Sequence, residues 1–332
     1  MLINLVCIAL YTAWPAYTPL FMHTALHNPA VRFTLVTNLN ESHQSWSEHL
    51  GTMPKPNNVV LVPYSFDELV TTIHKDNLGL GPTPLSITSI YKLIDYKPMF
   101  GVLFHRELVG FSHWGWFDLD IIVGNITSVY GCNYTGREDF ISYDNTLVHG
   151  PMMINRNTEL VTTFYKYVVS FPKHRSGLGK SRAMLFDEIV LPILISRNSS
   201  VVSMSSHKRN CDTGGVWMWY RGEMQNRLGP CVIHHFGGGG RRQSRESKDD
   251  VWARNRAFFD GDFHKTGLHG FGTAKRLGGY LSFVFTFTKT NDFVIVNSTS
   301  TLNPGLNSTA LFRMLTHVAK RFMSPFECDT SR

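Results

Sequence analysis

The sequence lacks a hydrophobic run long enough to form a membrane-spanning helix. No stretch of its 332 residues approaches the roughly 18 consecutive apolar residues that such a helix needs. The apolar run Leu2 to Leu10 has no basic segment before it, unlike a secretory signal, so we expect it to form the first buried strand. If the native protein is anchored in a membrane, we expect the anchor to lie outside this chain.

Cysteine is scarce, and its spacing excludes a cysteine-based metal site. The five cysteines show no metal-type spacing, and an odd number cannot all pair within the chain. Cys211 and Cys231 can form a disulfide in an oxidising compartment, or remain buried free thiols.

Concentrated positive charge is also missing. The formal charge is +7 and the pI is near 9.1, but the basic residues are scattered apart from Arg241, Arg242 and Arg245. A basic stripe with interleaved aromatic residues, typical of nucleic-acid binding, is absent, so we expect no nucleic-acid partner. The segment 176–181 ends like a phosphate-binding P-loop, but His174 replaces the required glycine. The net charge suits an anionic partner such as a nucleotide sugar or a lipid headgroup.

The most informative stretch present is the aromatic and β-branched run Phe111 to Gly124, which contains Asp118 and Asp120. One leucine separates the two aspartates, so in an extended or tightly turned backbone both carboxylates can face one point at the end of a buried strand. Such a pair suits Mg²⁺ or Mn²⁺ carrying the phosphates of a nucleotide. The alternative is a chance match, and the second Asp-x-Asp, at Asp260 and Asp262, is interpreted as a turn.

The N-terminal part of the chain has the alternating pattern of an open α/β sheet. The predicted strands are Ile3 to Tyr11, Arg32 to Thr37 and Asn57 to Tyr64, with a helix between Pro15 and His27. Ser65 and Glu68 have the spacing of a capping box at the start of the next helix. Ligands of such sheets lie beyond the carboxyl ends of the strands, so Tyr11 and Asn38 are candidate walls for a nucleoside, or else ordinary loop residues.

Asp95 and Lys97 lie just before the acidic strand. We expect two helical pieces, Ile87 to Ile94 and Met99 to Leu108, divided at Lys97 and Pro98. Lys97 can then reach a diphosphate, and Asp95 can accept a hydrogen bond from a ribose or a base. The alternative is that the two residues form a surface pair.

The segments Tyr91 to Gly101 and Gly115 to Gly124 resemble the nucleotide-sugar-dependent glycosyltransferases of the GT-A fold. They are most similar to a little-characterised group of bacterial and algal glycosyltransferase-like proteins. That group has a lysine-x-x-aspartate-x-lysine-proline segment before a tryptophan-glycine, Asp-x-Asp strand. The Trp14-Pro15 step and the segment 27–29 also fit, and the resemblance covers residues 3–237.

The resemblance implies a Rossmann-like α/β domain with a mostly parallel central sheet flanked by helices. It implies that Asp118 and Asp120 bind the metal of a nucleotide diphosphate sugar and that Asp95 and Lys97 line the donor site. His235 is the matching third metal ligand, with His234 as the alternative, because neighbouring side chains on a strand point to opposite faces.

The resemblance also places an acidic residue near the acceptor hydroxyl, at the start of the apolar helix that follows Phe186. Asp187 or Glu188 can serve there as general base if it reaches that hydroxyl. Their alternative role is helix capping through the helix dipole. We also expect a strand over Val148 to Ile154 and a helix over Asn157 to Phe171.

The predicted organisation is a GT-A-like catalytic domain over 1–237, a glycine- and arginine-rich loop over 238–250, and a C-terminal extension over 251–332. The loop is a lid over the donor or a plain linker. The extension contains a β-rich run, Tyr280 to Val296, and a helix over 309–322. Six glycosylation acceptor sequences favour a secretory lumen, with the cytoplasm as the alternative; they begin at Asn40, Asn125, Asn133, Asn198, Asn297 and Asn307.

Together these features predict a metal-dependent glycosyltransferase that uses Mn²⁺ or Mg²⁺ and a nucleotide diphosphate sugar. Its acceptor is a hydroxyl of a glycan, protein or lipid. One alternative is a degenerate, non-catalytic module of the same fold that binds a glycan or a partner protein. Another is a metal-dependent phosphohydrolase.

Overall fold

A computed structural model of the protein divides the chain into two compact units, residues 1–121 with 134–208 and residues 122–133 with 209–332. The described residues are 2–15, 18–50, 54–75, 78, 80, 85–127, 137–142, 150–170, 176, 178–180 and 186–206. The backbone is also described in six further segments that form strands, at 217–220, 223–226, 229–230, 233–235, 282–287 and 293–298. The loop 238–250, most of the extension 251–332 and the second Asp-x-Asp lie outside them, so the predicted boundary at residue 237 stays a prediction.

The first unit is built on a seven-stranded sheet. The strands up to residue 206 are β1 (Ile3–Ala9), β2 (Val31–Thr37), β3 (Val59–Pro63), β4 (His113–Phe117), β5 (Ile121–Val123), β6 (Phe140–Ser142), β7 (Met152–Arg156) and β8 (Met204–Ser206). All except β5 belong to this sheet, in the order β3-β2-β1-β4-β7-β6-β8. Only β7 runs against its neighbours in this sheet. The predicted α/β fold with a mostly parallel sheet is confirmed.

Helices accompany the strands of this unit. They are α1 (Thr18–Leu26), α2 (Gln44–Leu50), α3 (Phe66–Lys75), α4 (Phe100–Leu103), α5 (Glu159–Thr162) and α6 (Leu191–Arg197), with 3₁₀ helices Ile90–Met99 and Phe164–Ser170 and a π-helix Phe186–Val190.

The capping box before α3 is confirmed. The N–H of Ser65 donates to Oε2 of Glu68 at 2.7 Å, and the N–H of Glu68 donates to Oγ of Ser65 at 3.2 Å.

The predicted division of the helical segment at Lys97 and Pro98 is wrong. The 3₁₀ helix Ile90–Met99 contains Pro98, and α4 follows it directly and ends at Leu103. Proline has a φ suited to helices and lacks only its own N–H, so the chain stays helical through it and changes type afterwards. Lys97 is therefore part of a continuous helical segment.

Strand β4 is buried on both faces, which explains its aromatic sequence. The Phe117 ring stacks on Phe21 of α1 with ring centroids 5.1 Å apart, while Trp114 and Trp116 belong to the core on the opposite face. Gly115 has no room for a side chain, because a Cβ there would lie 2.8 Å from Cδ2 of Leu5 and overlap a backbone carbonyl of β7. This packing fixes the position at which β4 ends.

The second unit contains small sheets. Its further strands are β9 (Trp217–Tyr220), β10 (Glu223–Asn226), β11 (Gly229–Pro230), β12 (Ile233–His235), β13 (Ser282–Phe287) and β14 (Phe293–Ser298). β5 pairs with β12, β9 to β11 form an antiparallel sheet, and β13 pairs with β14. The predicted β-rich run is thus confirmed. Cys211, Cys231 and the predicted helix over 309–322 lie outside the described residues.

No helix within the described part of the chain is both long and apolar enough to cross a membrane. The apolar N-terminal run forms a buried strand, β1, as predicted. This strand pairs with β2 on one side and with β4 on the other.

Candidate functional site

The candidate site lies where the strand order of the main sheet reverses. The chain builds β1, then β2 and β3 on one side of it, and then returns to place β4 on its other side. These four strands are parallel, so their carboxyl ends share one edge of the sheet. Such a reversal leaves a crevice at that edge where α/β proteins bind ligands. Tyr11, Asn38 and Asp118 follow β1, β2 and β4 at this edge.

Tyr11 and Asn38 are brought together, as their positions after neighbouring strands predict. The N–H of Tyr11 donates to Oδ1 of Asn38 at 3.0 Å, and Nδ2 of Asn38 donates to the carbonyl of Tyr11 at 2.9 Å. The Asn38 amide thus continues the pairing of the two strands for one more residue. Its side chain is occupied with backbone, and its contact with a nucleoside stays a prediction.

The two aspartates of the acid pair have different surroundings. The Asp118 side chain is 31% exposed, whereas Asp120 is only 6% exposed. The N–H of Asp118 donates to the carbonyl of Pro151 at 2.8 Å, which fixes its backbone against the start of β7. The pair lies at the end of a buried strand, as predicted, but Asp118 is its more accessible member.

Lys97 is the centre of the site. Its Nζ atom lies 2.8 Å from Oδ1 of Asp118, 2.9 Å from the carbonyl oxygen of Gly150 and 3.5 Å from Oδ2 of Asp187. The lysine is almost fully buried. Burial alone would lower its pKa, but the charges of Asp118 and Asp187 outweigh that effect and raise the pKa above its usual value, so the ammonium stays charged.

Asp187 contributes the second carboxylate. Its side chain is 3% exposed, and Oδ1 is buried without a hydrogen-bond partner among the described residues. Burial raises the pKa of Asp187 to about 6; Lys97 lowers it, and Glu188 and Asp118 raise it further. The residue lies in the π-helix Phe186–Val190, a type of segment that often occurs at functional sites. A buried oxygen without a partner can accept a hydrogen bond from a ligand hydroxyl.

Glu188, the other predicted base, is exposed and packs on Gly150. A Cβ atom at Gly150 would lie 2.8 Å from Cγ of Glu188, so the two residues are in direct contact. The carbonyl of Gly150 also accepts a hydrogen bond from Nε1 of Trp116 at 2.9 Å, in addition to the one from Lys97. The sequence does not indicate Gly150 as a site residue, because both of its donors are distant in the chain.

Asp95 has two partners within the protein. It is fully buried, and its Oδ2 accepts a hydrogen bond from Nζ of Lys92 at 2.6 Å. Its Oδ1 accepts from the N–H of Phe186 at 3.2 Å. Asp95 and Lys97 do not form the surface pair that was the alternative, because each has a separate set of partners. Contact of Asp95 with a nucleotide stays a prediction, and its position is that of an interior residue.

Cys7 of β1 lies behind the acid pair and is a buried free thiol. Burial raises the pKa of this thiol well above its usual value, and the negative charge of Asp118 adds to the effect. A thiol kept protonated in this way is unreactive. Cys7 therefore fills space next to the site.

The oxygen chemistry of Asp118 fits a Mg²⁺ or Mn²⁺ ion. Such ions are often held by one or two carboxylates together with phosphate oxygens and water, and Lys97 contacts Oδ1 of Asp118 and leaves Oδ2. Within the described residues no group of three or more His, Cys, Asp or Glu is arranged to hold a metal. His235 is in β12, but its side chain and that of His234 lie outside the described residues, so the predicted third ligand stays a prediction.

Three solved structures show distant similarity to the chain. Mouse xyloside xylosyltransferase 1 is 10% identical over 64% of this chain and 89% of its own, with a TM-score of 0.43. The galactosyltransferase LgtC, crystallised with donor and acceptor sugar analogues, is 9% identical over 77% and 95%, with a TM-score of 0.41. The glycosyltransferase GlyE of Streptococcus pneumoniae is 11% identical over 61% and 44%, with a TM-score of 0.34. Similarity of this degree does not indicate a shared activity.

No curated protein matches the sequence significantly. A family model does match it, over residues 6–221, which include Lys97, Asp118 and Asp187. Because this match spans more than half of the chain, the protein belongs to the family of unknown function DUF6625.

Proposed function

We propose that the protein is a metal-dependent glycosyltransferase that moves a sugar from a nucleotide diphosphate sugar to a hydroxyl acceptor on a glycan, protein or lipid. One observation carries the proposal. At the strand-order reversal, where ligands of α/β sheets bind, a buried lysine joins a partly exposed aspartate and a buried aspartate, Asp118 and Asp187. The resemblance of residues 91–101 and 115–124 to nucleotide-sugar-dependent enzymes supports the same function.

Asp118 is the residue that would hold Mn²⁺ or Mg²⁺, with Asp120 and His235 as the further predicted ligands. When bound, the ion neutralises the charge that develops on the leaving diphosphate. Tyr11 and Asn38 lie at the same edge of the sheet and suit the nucleoside end of the donor. The resemblance implies a donor contact for Asp95 as well, and for this residue the contact stays a prediction. It implies the same for Lys97, whose contacts with Asp118, Gly150 and Asp187 favour a different role.

Asp187 is the better candidate for general base. Its Oδ1 is buried and without a partner among the described residues, and its pKa near 6 leaves it ionised at neutral pH yet able to take a proton. It would accept the proton of the acceptor hydroxyl as that oxygen bonds to the sugar carbon and the bond to the diphosphate breaks. Glu188 is exposed and in contact with Gly150, so it suits the outer, acceptor side of the site.

Nucleotide binding tests the donor site. We expect titration calorimetry with UDP and with GDP, each with Mn²⁺, to show binding of at least one of them. The double variant Asp118→Asn/Asp120→Asn should bind more than about tenfold more weakly, because the metal loses its carboxylates. The matched control is Asp67→Asn, an exposed acid on α3. Equal binding by wild type and double variant, or no binding by wild type, would contradict the donor site.

Sugar transfer is tested separately, by release of the nucleoside diphosphate from a panel of nucleotide sugars with and without simple glycan acceptors. Release in wild type and its loss in Asp187→Asn, with nucleotide binding retained, would support the proposed base. Release of inorganic phosphate from simple phosphate esters would instead indicate a metal-dependent phosphohydrolase.

A non-catalytic binding module is the second candidate, and one contact favours it. Lys97 already neutralises Asp118 at 2.8 Å, which a metal ion would otherwise do. A degenerate site would keep its fold and its glycan or partner binding without needing metal. Binding of glycans that is insensitive to chelation, together with no turnover of any nucleotide sugar, would support this function over the enzyme.

We propose a secretory lumen as the location. Of the acceptor sequences in the described residues, the one at Asn40 is exposed, in the loop after β2. Expression of the chain in a secretory pathway, followed by glycosidase treatment, tests this. A mobility shift that is lost in Asn40→Gln would support use of that acceptor, and the absence of any shift in the wild type would count against a lumenal protein.

A further inference from the structure

Lys97 is surrounded by protein acceptors. An ammonium group has three N–H donors, and three oxygens lie within 3.5 Å of Nζ: a carboxylate oxygen of Asp118, the carbonyl oxygen of Gly150 and a carboxylate oxygen of Asp187. The side chain is only 8% exposed. In this arrangement no N–H of Lys97 remains to bind a phosphate.

The charges explain why the lysine is there. Two carboxylates near one buried point repel each other and are costly to desolvate unless a cation compensates them. Lys97 contacts one oxygen of each, at 2.8 Å and 3.5 Å, and its contact with Gly150 fixes the nitrogen between them. Each carboxylate keeps its second oxygen. For Asp187 that oxygen, Oδ1, has no partner among the described residues.

We propose that Lys97 is a positioning residue, the fixed counter-ion that holds the Asp118 and Asp187 carboxylates together, and that it is not a ligand of the donor diphosphate. The claim that Lys97 does not bind the donor diphosphate depends on the proposed function. This assignment differs from the role that the sequence resemblance implies for Lys97. It also means that the ammonium and a divalent cation compete electrostatically at Asp118, because both are positive charges next to the same carboxylate.

A double-mutant cycle tests the counter-ion role without reference to any ligand. The variants are Lys97→Met, Asp187→Asn and the double variant, with Lys166→Met as the control for loss of an exposed lysine. Lys97→Met leaves Asp187 buried without its cation, so we expect the added Asp187→Asn to restore stability, with a coupling of at least about tenfold in the unfolding equilibrium constant. If Lys97→Met does not fold and the double variant does, the result also supports the role. Additive effects would overturn it.

Binding measurements in the Asp187→Asn background test two further claims, that Lys97 competes with the metal ion and that it does not bind the diphosphate. Comparing Lys97→Met/Asp187→Asn with Asp187→Asn, we expect Mn²⁺ affinity to rise by about threefold or more, because a competing positive charge is removed. At saturating Mn²⁺, the affinity for UDP or GDP should change by less than about threefold. A fall in nucleotide affinity of about tenfold or more would overturn the proposal, since it would show that Lys97 binds the diphosphate. A loss of Mn²⁺ affinity would overturn it too.

The two proposals fail in different ways. If wild type and Asp187→Asn both bind neither Mn²⁺ nor nucleotide, the proposed function is wrong, and the unfolding cycle alone decides whether Lys97 is the counter-ion of Asp187. If they bind both and the cycle shows no coupling, the function stands and the counter-ion role is wrong.

Discussion

The carboxylate of Asp95 accepts a hydrogen bond at 3.2 Å from the backbone N–H of Phe186, a residue 91 positions further along the chain. Its other oxygen accepts from Nζ of Lys92 at 2.6 Å, and both charged side chains are fully buried. This contact ties the 3₁₀ helix Ile90–Met99 to the first residue of the π-helix. The next residue of that π-helix is Asp187, so the buried pair determines where Asp187 lies.

The first prediction concerns this buried pair. Asp95→Asn keeps an acceptor for the Phe186 N–H but leaves the Lys92 ammonium without its carboxylate. We expect a loss of about 3–5 kcal/mol in the free energy of unfolding, because a buried charge without its partner is costly. Lys92→Met/Asp95→Asn removes both charges and should recover most of the loss. Urea denaturation of the three proteins measures this.

The control is an exposed ion pair. Lys55 and Glu41 are 3.8 Å apart at the surface, and Glu41→Gln should change the free energy of unfolding by less than about 1 kcal/mol. If Asp95→Asn is equally mild, the buried pair does not have the structural role described above.

The fold was predictable because its signals are local. Apolar β-branched runs indicated β1, β2 and β3, and the spacing of Ser65 and Glu68 indicated the start of α3. Each of these depends on neighbours within a few residues. The end of β4 was predictable for the same reason, since a buried aromatic run stops at a charged residue.

The pairings within the site were not predictable from the sequence. Asp95 and Lys97 looked like partners, but in a 3₁₀ helix residues three apart lie above one another, whereas residues two apart point in different directions. Asp95 therefore meets Lys92 within its helix, and Lys97 turns towards Asp118 and Asp187. The contacts with Gly150 and Asp187 span long stretches of chain, and no local pattern specifies them.

The second prediction concerns the pH dependence caused by Asp187. Its pKa is about 6 in the folded protein and near 3.8 when unfolded, so the native state binds the proton more tightly. The contribution of Asp187 to the free energy of unfolding therefore falls as pH rises from about 4 to about 6, by up to about 3 kcal/mol. The amide in the Asp187→Asn variant cannot ionise, so the stability of this variant relative to wild type should increase as the pH rises over that range.

Urea denaturation of both proteins at pH 4.5 and pH 7.5 gives this difference. The difference in the free energy of unfolding between the two proteins at each pH cancels the contributions of the other titrating groups. It also cancels any pH-independent effect of losing the contact with Lys97. Asp67→Asn, on the surface of α3, is the control and should show no such change. A pH-independent difference for Asp187→Asn would contradict the raised pKa.

The third prediction concerns His113, which acts in the opposite direction over nearly the same range. Burial, with the charge of Arg156, lowers the pKa of His113 from 6.5 to about 4. The unfolded chain then binds the proton more tightly, so stability is lost as pH falls from about 6.5 to about 4, by up to about 3 kcal/mol. His113→Asn should remove this loss, while the exposed His74→Asn should not.

In wild type the effects of His113 and Asp187 partly cancel, and a pH series on each single variant separates them. A pH profile for His113→Asn identical to that of wild type would contradict the prediction.

The last prediction concerns the glycine between the two tryptophans of β4. A Cβ at Gly115 would overlap the backbone carbonyl of Met153 on the paired strand and approach Cδ2 of Leu5 to 2.8 Å. A backbone atom cannot move aside without separating β4 from β7, so Gly115→Ala should destabilise the protein by about 3 kcal/mol or prevent folding.

Gly110→Ala is the matched control. Gly110 has a φ of +85° and open space around it, so alanine there meets only backbone strain of about 1–2 kcal/mol. Thermal unfolding ranks the two variants, and because Asp118 follows β4, Gly115→Ala should also weaken Mn²⁺ binding in any protein that folds. A Gly115→Ala protein as stable as the Gly110→Ala protein would show that β4 is packed less closely than described.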